Sequence, residues 1–278
     1  QSKFGNNNYS IKMIDKYNRS INYLRISVTD KCNLRCKYCM PAEGITLKKH
    51  DDILSNEEII DVVTHGAKLG ISKVRFTGGE PLVRKGIISL ISRIKQIQGI
   101  NELAMTTNGL LLPKYAKDLK RAGLDRVNIS LDTLDPKQYQ KITRIGDIKD
   151  VKKGVFAALA ADLSPVKINV VKLKNEENQN IDLIRNFCNK YRLQIRIIDE
   201  MNLETGEFSI VDGGEGGNCS ICNRLRLTSN GDIKPCLFSN SSINIRKYGI
   251  CQAFKMALQD KPEYGEMSTN HTFYTIGG

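Results

Sequence analysis

A chain of 278 residues, 40% hydrophobic and 26% charged, is long enough to bury one large α/β core or two smaller ones. It has no apolar run near the roughly 18 residues that span a bilayer. It also opens without a signal-peptide pattern (its first residue is Gln), which predicts a cytoplasmic protein with no membrane partner. The net charge of +12 asks for an anionic partner, whether nucleic acid, an acidic surface or a phosphorylated small molecule.

Residues 1–22 are polar, rich in Asn, Lys and Ser, and read as a flexible N-terminal arm. From residue 23 to 201, strand-like runs at 24–28, 74–77, 103–106, 127–131, 166–171 and 195–198 alternate with helical patterns. Ser55-Asn56-Glu57-Glu58 is a capping box that opens a helix ending at Leu69-Gly70. Pro113 begins a helix that ends at Ala122-Gly123. Asp135-Pro136 supplies an N-cap and a first-turn proline. A helix from about 179 to 191 carries Ile181, Ile184, Phe187 and Cys188 on one face, with Cys188 as a core thiol. Six β-then-α units imply parallel strands, and six falls short of the eight that close a full barrel. The expected fold is therefore α/β, an incomplete TIM-like (β/α)6 barrel with its function at the carboxyl ends of the strands.

The loop after the first strand holds Cys32, Cys36 and Cys39 at the spacing C-x3-C-x2-C. Two cysteines would suggest a redox pair and four a closed structural metal site. Three leave a coordination position open to a reactant. The alternative is a zinc knob with a distant fourth ligand, although His50 and His65 lie outside any usual ligand spacing. Other candidate residues also fall at strand ends: Gly78-Gly79-Glu80-Pro81, Thr106-Thr107-Asn108-Gly109, Ser130 with Asp132, and Met201.

Residues 202–278 form a C-terminal region that begins with a Gly- and Glu-rich loop at 202–218. Cys219 and Cys222 follow as a C-x2-C pair. An alternating strand, a turn at Asn230-Gly231 and a return strand then lead to Cys236. The hairpin brings Cys236 back beside the pair. Arg224 and Arg226, two apart on a strand, share a face and form a natural phosphate clamp. Grouped as three, one, three and one, the eight cysteines suit metal ligation better than a disulfide scaffold.

Together, the C-x3-C-x2-C-M-P loop, the G-G-E-P turn, the C-x2-C-N-R-x-R-L-T hairpin with its third cysteine and the terminal Gly277-Gly278 closely resemble one family. It is the MoaA family of GTP 3′,8-cyclases, radical S-adenosylmethionine enzymes of molybdenum cofactor biosynthesis. The resemblance runs from about residue 24 to 278. It implies two [4Fe-4S] clusters, the first on Cys32, Cys36 and Cys39, and the second on Cys219, Cys222 and Cys236. Tyr38, Gly79, Ser130 and Met201 would line S-adenosylmethionine. Arg25, Arg75, Thr106, Lys167, Arg196, Arg224 and Arg226 would meet GTP. The implied reaction begins with a 5′-deoxyadenosyl radical that takes hydrogen from ribose C3′. The carbon radical then adds to guanine C8, giving 3′,8-cyclo-7,8-dihydro-GTP for a companion enzyme. The resemblance also implies a homodimer. It is interrupted at 202–218, where the family has a longer connection covering the open side of the barrel, so a more exposed site is expected here.

Plainer readings stand beside these. Arg25, Arg75 and Arg196 could be edge or salt-bridge residues, Gly78-Gly79 a simple turn, Met201 core filler and Lys167 a snorkelling side chain. The second trio could be a zinc ribbon completed by Cys251 or His271. A radical enzyme that modifies a peptide would share the first trio without needing Arg224 and Arg226, and a relative with the shortened loop could be inactive. A nucleic-acid binder with two zinc knobs would want stacking aromatics, and the chain has no Trp and no aromatic-rich strand. Deleting Gly277-Gly278 is expected to lower turnover with both clusters intact. Normal turnover in the truncated protein would count against a role for the tail.

Overall fold

The computed structural model describes residues 12–46, 48–174, 179–269 and 273–276. Residues 1–11, His271 and the Gly277-Gly278 tail lie outside the described residues. The strands β1 (Tyr23–Ser27), β2 (Lys73–Thr77), β3 (Glu102–Thr107), β4 (Arg126–Ser130), β5 (Lys167–Lys172) and β6 (Gln194–Asp199) pair in sequential order and all run parallel. Parallel neighbours need a crossover rather than a tight turn. The helices α1 (Asn56–Lys68), α2 (Ile87–Lys95), α3 (Leu112–Arg121), α4 (Pro136–Thr143), α5 (Ile148–Ala160) and α6 (Ile181–Lys190) supply it.

The helix boundaries follow the sequence signals. Ser55 and Glu58 close a reciprocal capping box on α1. Asp135 caps α4 with Pro136 in the first turn, and Asn180 caps α6. Cys188 is buried in the core.

The strands alternate strictly. Leu24, Ile26, Val74, Phe76, Leu103, Met105, Val127, Ile129, Ile168 and Val170 are fully buried in one cluster with Val62, Leu90, Leu119 and Val155 of the helices. The opposite face carries Tyr23, Arg25, Lys73, Arg75, Thr106, Arg126, Asn128, Asn169 and Arg196, which line one cavity. The core therefore lies between sheet and helices, and the other face of the sheet is left polar.

Past β6, the chain returns to the opposite flank of the sheet. β7 (Arg224–Leu227) pairs parallel with β1, and β8 (Asp232–Lys234) and β9 (Ile243–Asn244) add antiparallel strands. The full order is β6-β5-β4-β3-β2-β1-β7-β8-β9. The C-terminal region thus extends the same sheet. Its weak periodicity hides two consecutive helices, α7 (Ile245–Tyr248) and α8 (Ile250–Gln259). Phe254 of α8 is buried where α1 has Gly66, whose missing side chain makes room for the ring.

Two expectations need correction. Residues 12–22 are not a loose arm: Met13 and Ile21 are buried, Ile14 bridges Ser20, and Asp15 pairs with Arg19 at 2.7 Å. Arg19 also donates to the carbonyls of Cys219, Glu263 and Pro262. Nor does 202–218 leave its side open. Ile197 and Asp212 exchange backbone hydrogen bonds at 3.0 Å, Val211 is buried, and Phe208 stacks on Phe238 with centroids 4.4 Å apart.

Arg19→Ala would leave the Asp15 carboxylate, whose side chain is wholly buried, without its cation. Breaking a buried pair in this way costs about 3 kcal/mol. Chemical denaturation should show a loss of that order, and a loss under about 0.5 kcal/mol, the range of surface substitutions, would mean the clamp is ornamental.

Candidate active site

The first cysteine loop is held from outside by the end of α4. Arg35 N donates to Thr143 O and Lys37 N to Ile142 O. Arg144, at a left-handed φ of 66°, donates to the carbonyls of Arg35 and Met40. Within the loop, the amides of Cys39 and Met40 both bond the Cys36 carbonyl, and Leu34 N reaches Cys32 Sγ at 3.4 Å.

The G-G-E turn is sewn to the start of this loop. Gly79 N donates to Thr29 O and Glu80 N to Lys31 O, each at 2.8 Å. A Cβ on Gly79 would stand 2.3 Å from Lys31 O, so only glycine permits the approach. Gly79 also lines the cavity, which joins the turn reading and the ligand reading in one residue. Glu80 is buried and accepts from Leu82 N, Thr107 Oγ1 and Asn108 N. Burial raises its carboxyl to about 7, and those hydrogen bonds only partly offset the rise. Tyr38 donates to Asp132 at 2.8 Å, and Asp132 also takes the Val171 amide. Burial lifts Asp132 to about 6.

All six clustered cysteines line a single cavity of about 410 Å³. Tyr38, Gly79, Ser130 and Met201 line it at the first trio's end, and Arg25, Arg75, Thr106, Arg196, Arg224 and Arg226 also face it. Lys167 shares the β5 face without lining the cavity itself, and burial and then the charges of Arg196, Arg126 and Arg75 lower it to about 8. Tyr23, Lys73, Arg126, Asn128 and Asn169 line it too. Sequence reasoning missed these five. Counting two positions back from Arg25 and Arg75, two and four back from Ser130, and two forward from Lys167 would have found them.

The register explains the crowding of charge. Arg226 is the Cα partner of Arg25, and Arg25 of Arg75, on three adjacent strands. Burial and then Arg226 push Arg25 well below its ordinary value. Burial and Arg224 bring Arg226 to about 10, and burial with Arg75 and Arg126 lowers Arg196. The buried Nε atoms of Arg75 and Arg196 have no hydrogen-bond partner in the protein. Buried donors of this kind call for an acceptor, from a ligand or from water.

At the second trio, Cys222 N bonds Cys219 O, and the antiparallel pairing of β7 with β8 returns Cys236 to the pair. Burial opposes ionisation of Cys222, yet Lys261 and Arg224 outweigh it and hold the thiol at about 7. Burial raises Cys39 to about 12 and lifts Cys32 and Cys36 as well. Among the described residues no three His, Cys, Asp or Glu side chains converge on a point that would hold one ion. The six thiols, in two sequence trios around one cavity, are the donor type that iron–sulfur clusters take. Cys251, the suggested fourth zinc ligand, is exposed on α8.

Residues 26–188 match the Radical SAM superfamily. A GTP 3′,8-cyclase of Petrotoga mobilis is 42% identical over 94% of this chain and 95% of its own length. One from Thermodesulfovibrio yellowstonii is 44% identical over 84% and 87%. The first alignment runs over 316 residues, more than this chain's 278, so that relative carries residues with no counterpart here. Among solved structures, Streptococcus suis SuiB bound to S-adenosylmethionine superposes with a TM-score of 0.65 at 19% identity, over 90% of this chain and 68% of its own. His-tagged anSMEcpe with bound AdoMet gives 0.61 at 15% identity, over 84% and 77%. At such identities the likeness is one of fold.

Because folded Glu80 keeps its proton up to about 7 while the unfolded chain loses it near 4.5, the folded state binds more protons between those values. Stability should therefore fall as pH rises through that window, by up to about 3 kcal/mol from this group. Denaturation of the cluster-free protein against pH should show the slope, and Glu80→Gln should flatten it. An unchanged slope in the variant would rule this out.

Proposed function

The chain belongs to the radical SAM superfamily and, within it, to the GTP 3′,8-cyclases, and we propose that its residues divide the work between the two ends of one cavity. It converts GTP to 3′,8-cyclo-7,8-dihydro-GTP in molybdenum cofactor biosynthesis. When bound at Cys32, Cys36 and Cys39, the first [4Fe-4S] cluster with S-adenosylmethionine supplies the one-electron chemistry that takes hydrogen from ribose C3′. Tyr38, Gly79, Ser130 and Met201 would hold the cofactor beside it, and Cys219, Cys222 and Cys236 would hold a second cluster on the guanine side. Arg25, Arg75, Arg196, Arg224 and Arg226 bind the triphosphate, with Thr106 orienting Arg75 through a 3.2 Å hydrogen bond. Lys167 adds charge to this row. Phe208, stacked on Phe238, keeps water from the side that β6 leaves open.

The observation that carries this reading is the arginine row. Like charges placed directly opposite on neighbouring strands are unfavourable. Here they share a cavity with two cysteine trios and with donors that lack partners. A triphosphate between two clusters satisfies all of these at once. A peptide substrate would leave the row unmatched. Such an oxygen-sensitive protein belongs in the reducing cytoplasm, where a companion enzyme takes up the cyclised product and the chain works as a homodimer.

The deciding experiment is anaerobic. Reconstituted protein is given dithionite and S-adenosylmethionine, and 5′-deoxyadenosine is measured with and without GTP. Strong stimulation by GTP is expected. Arg224→Ala with Arg226→Ala should weaken GTP binding about 100-fold or more, at unchanged iron content. Formation of 5′-deoxyadenosine independent of GTP, with the double variant unharmed, would point to a peptide-modifying enzyme. A full iron load with no 5′-deoxyadenosine would mark an inactive relative.

A further inference from the structure

Lys261 lies two residues past α8 and is 1% exposed. Its ammonium donates to the Arg224 and Pro235 carbonyls at 2.8 Å each, and to Cys222 Sγ at 3.5 Å. These acceptors sit on both arms of the second cysteine site: Cys222 and Arg224 where β7 begins, and Pro235 immediately before Cys236. A buried ammonium is costly unless all three of its N–H bonds find acceptors, and here each of them does. The negative groups facing it are the sulfurs of Cys222 and Cys236, and its cationic neighbour is Arg19, already bound to the Cys219 carbonyl. The site proposed for the cluster is thus backed by a fixed cation from a distant part of the chain.

We propose that Lys261 is a positioning residue for the second cysteine trio: it ties the two arms together and gives the Cys222 thiolate a charged hydrogen bond that makes a cluster bound there easier to reduce. The inference rests on the second-cluster reading. A cluster on three thiolates carries net negative charge and becomes more negative on reduction, so an adjacent cation favours the reduced form. The carbonyl bonds fix where that cation sits, because moving it would strand two backbone acceptors as well.

The test uses the full chain with Cys32→Ala, Cys36→Ala and Cys39→Ala, so that iron and its EPR signal report the second trio alone. The protein is reconstituted anaerobically with iron and sulfide, and its midpoint potential is measured by dye-mediated titration. In this background Lys261→Met should shift the potential to more negative values, while Lys261→Arg stays near the parent. Full iron with the parent's potential and g-values in Lys261→Met would overturn the proposal. If Lys261→Met takes up no iron, Lys261→Arg decides: retained iron supports the charge, and equal loss in both variants overturns it. A parent without iron would overturn the second-cluster reading, and this proposal with it.

Discussion

The parallel register that sets Arg226, Arg25 and Arg75 abreast is the constraint from which the rest of the architecture follows. Neighbouring strands lie about 4.8 Å apart, so three guanidinium stems leave one face in one row. Nothing about the backbone requires this row, which works against the folded state. Part of the strain is met inside the protein. Glu102 pairs with Lys73 at 2.9 Å and with Arg126 at 2.5 Å, and the Tyr23 ring sits 5.8 Å from the Arg75 guanidinium. One carboxylate at the end of the row cannot balance it. The sheet can bear the charge because its other face is apolar and packed, so core packing and charge are assigned to opposite sides of the same strands.

That division makes the loops at the carboxyl ends mutually dependent. The cysteine loop is fixed by carbonyl and guanidinium contacts from α4, and the Gly79 turn by the backbone of residues 29–31. Each loop would have little structure alone. Together they place sulfur ligands, a tight glycine contact and the Tyr38–Asp132 bond on one rim. The second trio repeats the logic with different parts, using Arg19 from the start of the chain and Lys261 from near its end. Both cysteine trios are thus braced by contacts from elsewhere in the chain.

Much of this was legible in the sequence, for reasons that can be named. Capping residues such as Ser55 and Asp135 act within one turn, so α1 and α4 could be read locally. The cysteine spacings and the Arg224/Arg226 pair are also local patterns. What escaped was set by long-range pairing. Lys73 and Arg126 look like ordinary strand-end charges until the register sets Lys73 opposite Glu102, and Arg126 opposite Ala104, which is itself opposite Arg75. The polar text of residues 12–22 reads as a free arm because Arg19, held locally by Asp15, finds its further partners at Cys219 and Pro262, far along the chain.

The short connection at 202–218 is best understood through the sheet order. Because β7 docks beside β1 rather than beyond β6, the chain must cross the mouth of the cavity between residues 199 and 224 whatever its length. A crossing segment need not be long to serve as a wall. It needs an anchor on each side and bulk in between. The Ile197–Asp212 bridge anchors it at β6, and Arg224 Nη2 bonded to Glu215 O anchors it at β7. Phe208 and Val211 provide the bulk, and Gly213, at a φ of 75°, passes so close to β6 that a Cβ there would lie 2.4 Å from Ile195 O. The glycines that make this segment look unstructured in sequence are thus what let it lie flat against the site. With Phe208, Val211 and residues 215–218 all lining the cavity, the segment forms a wall of the site rather than an opening in it.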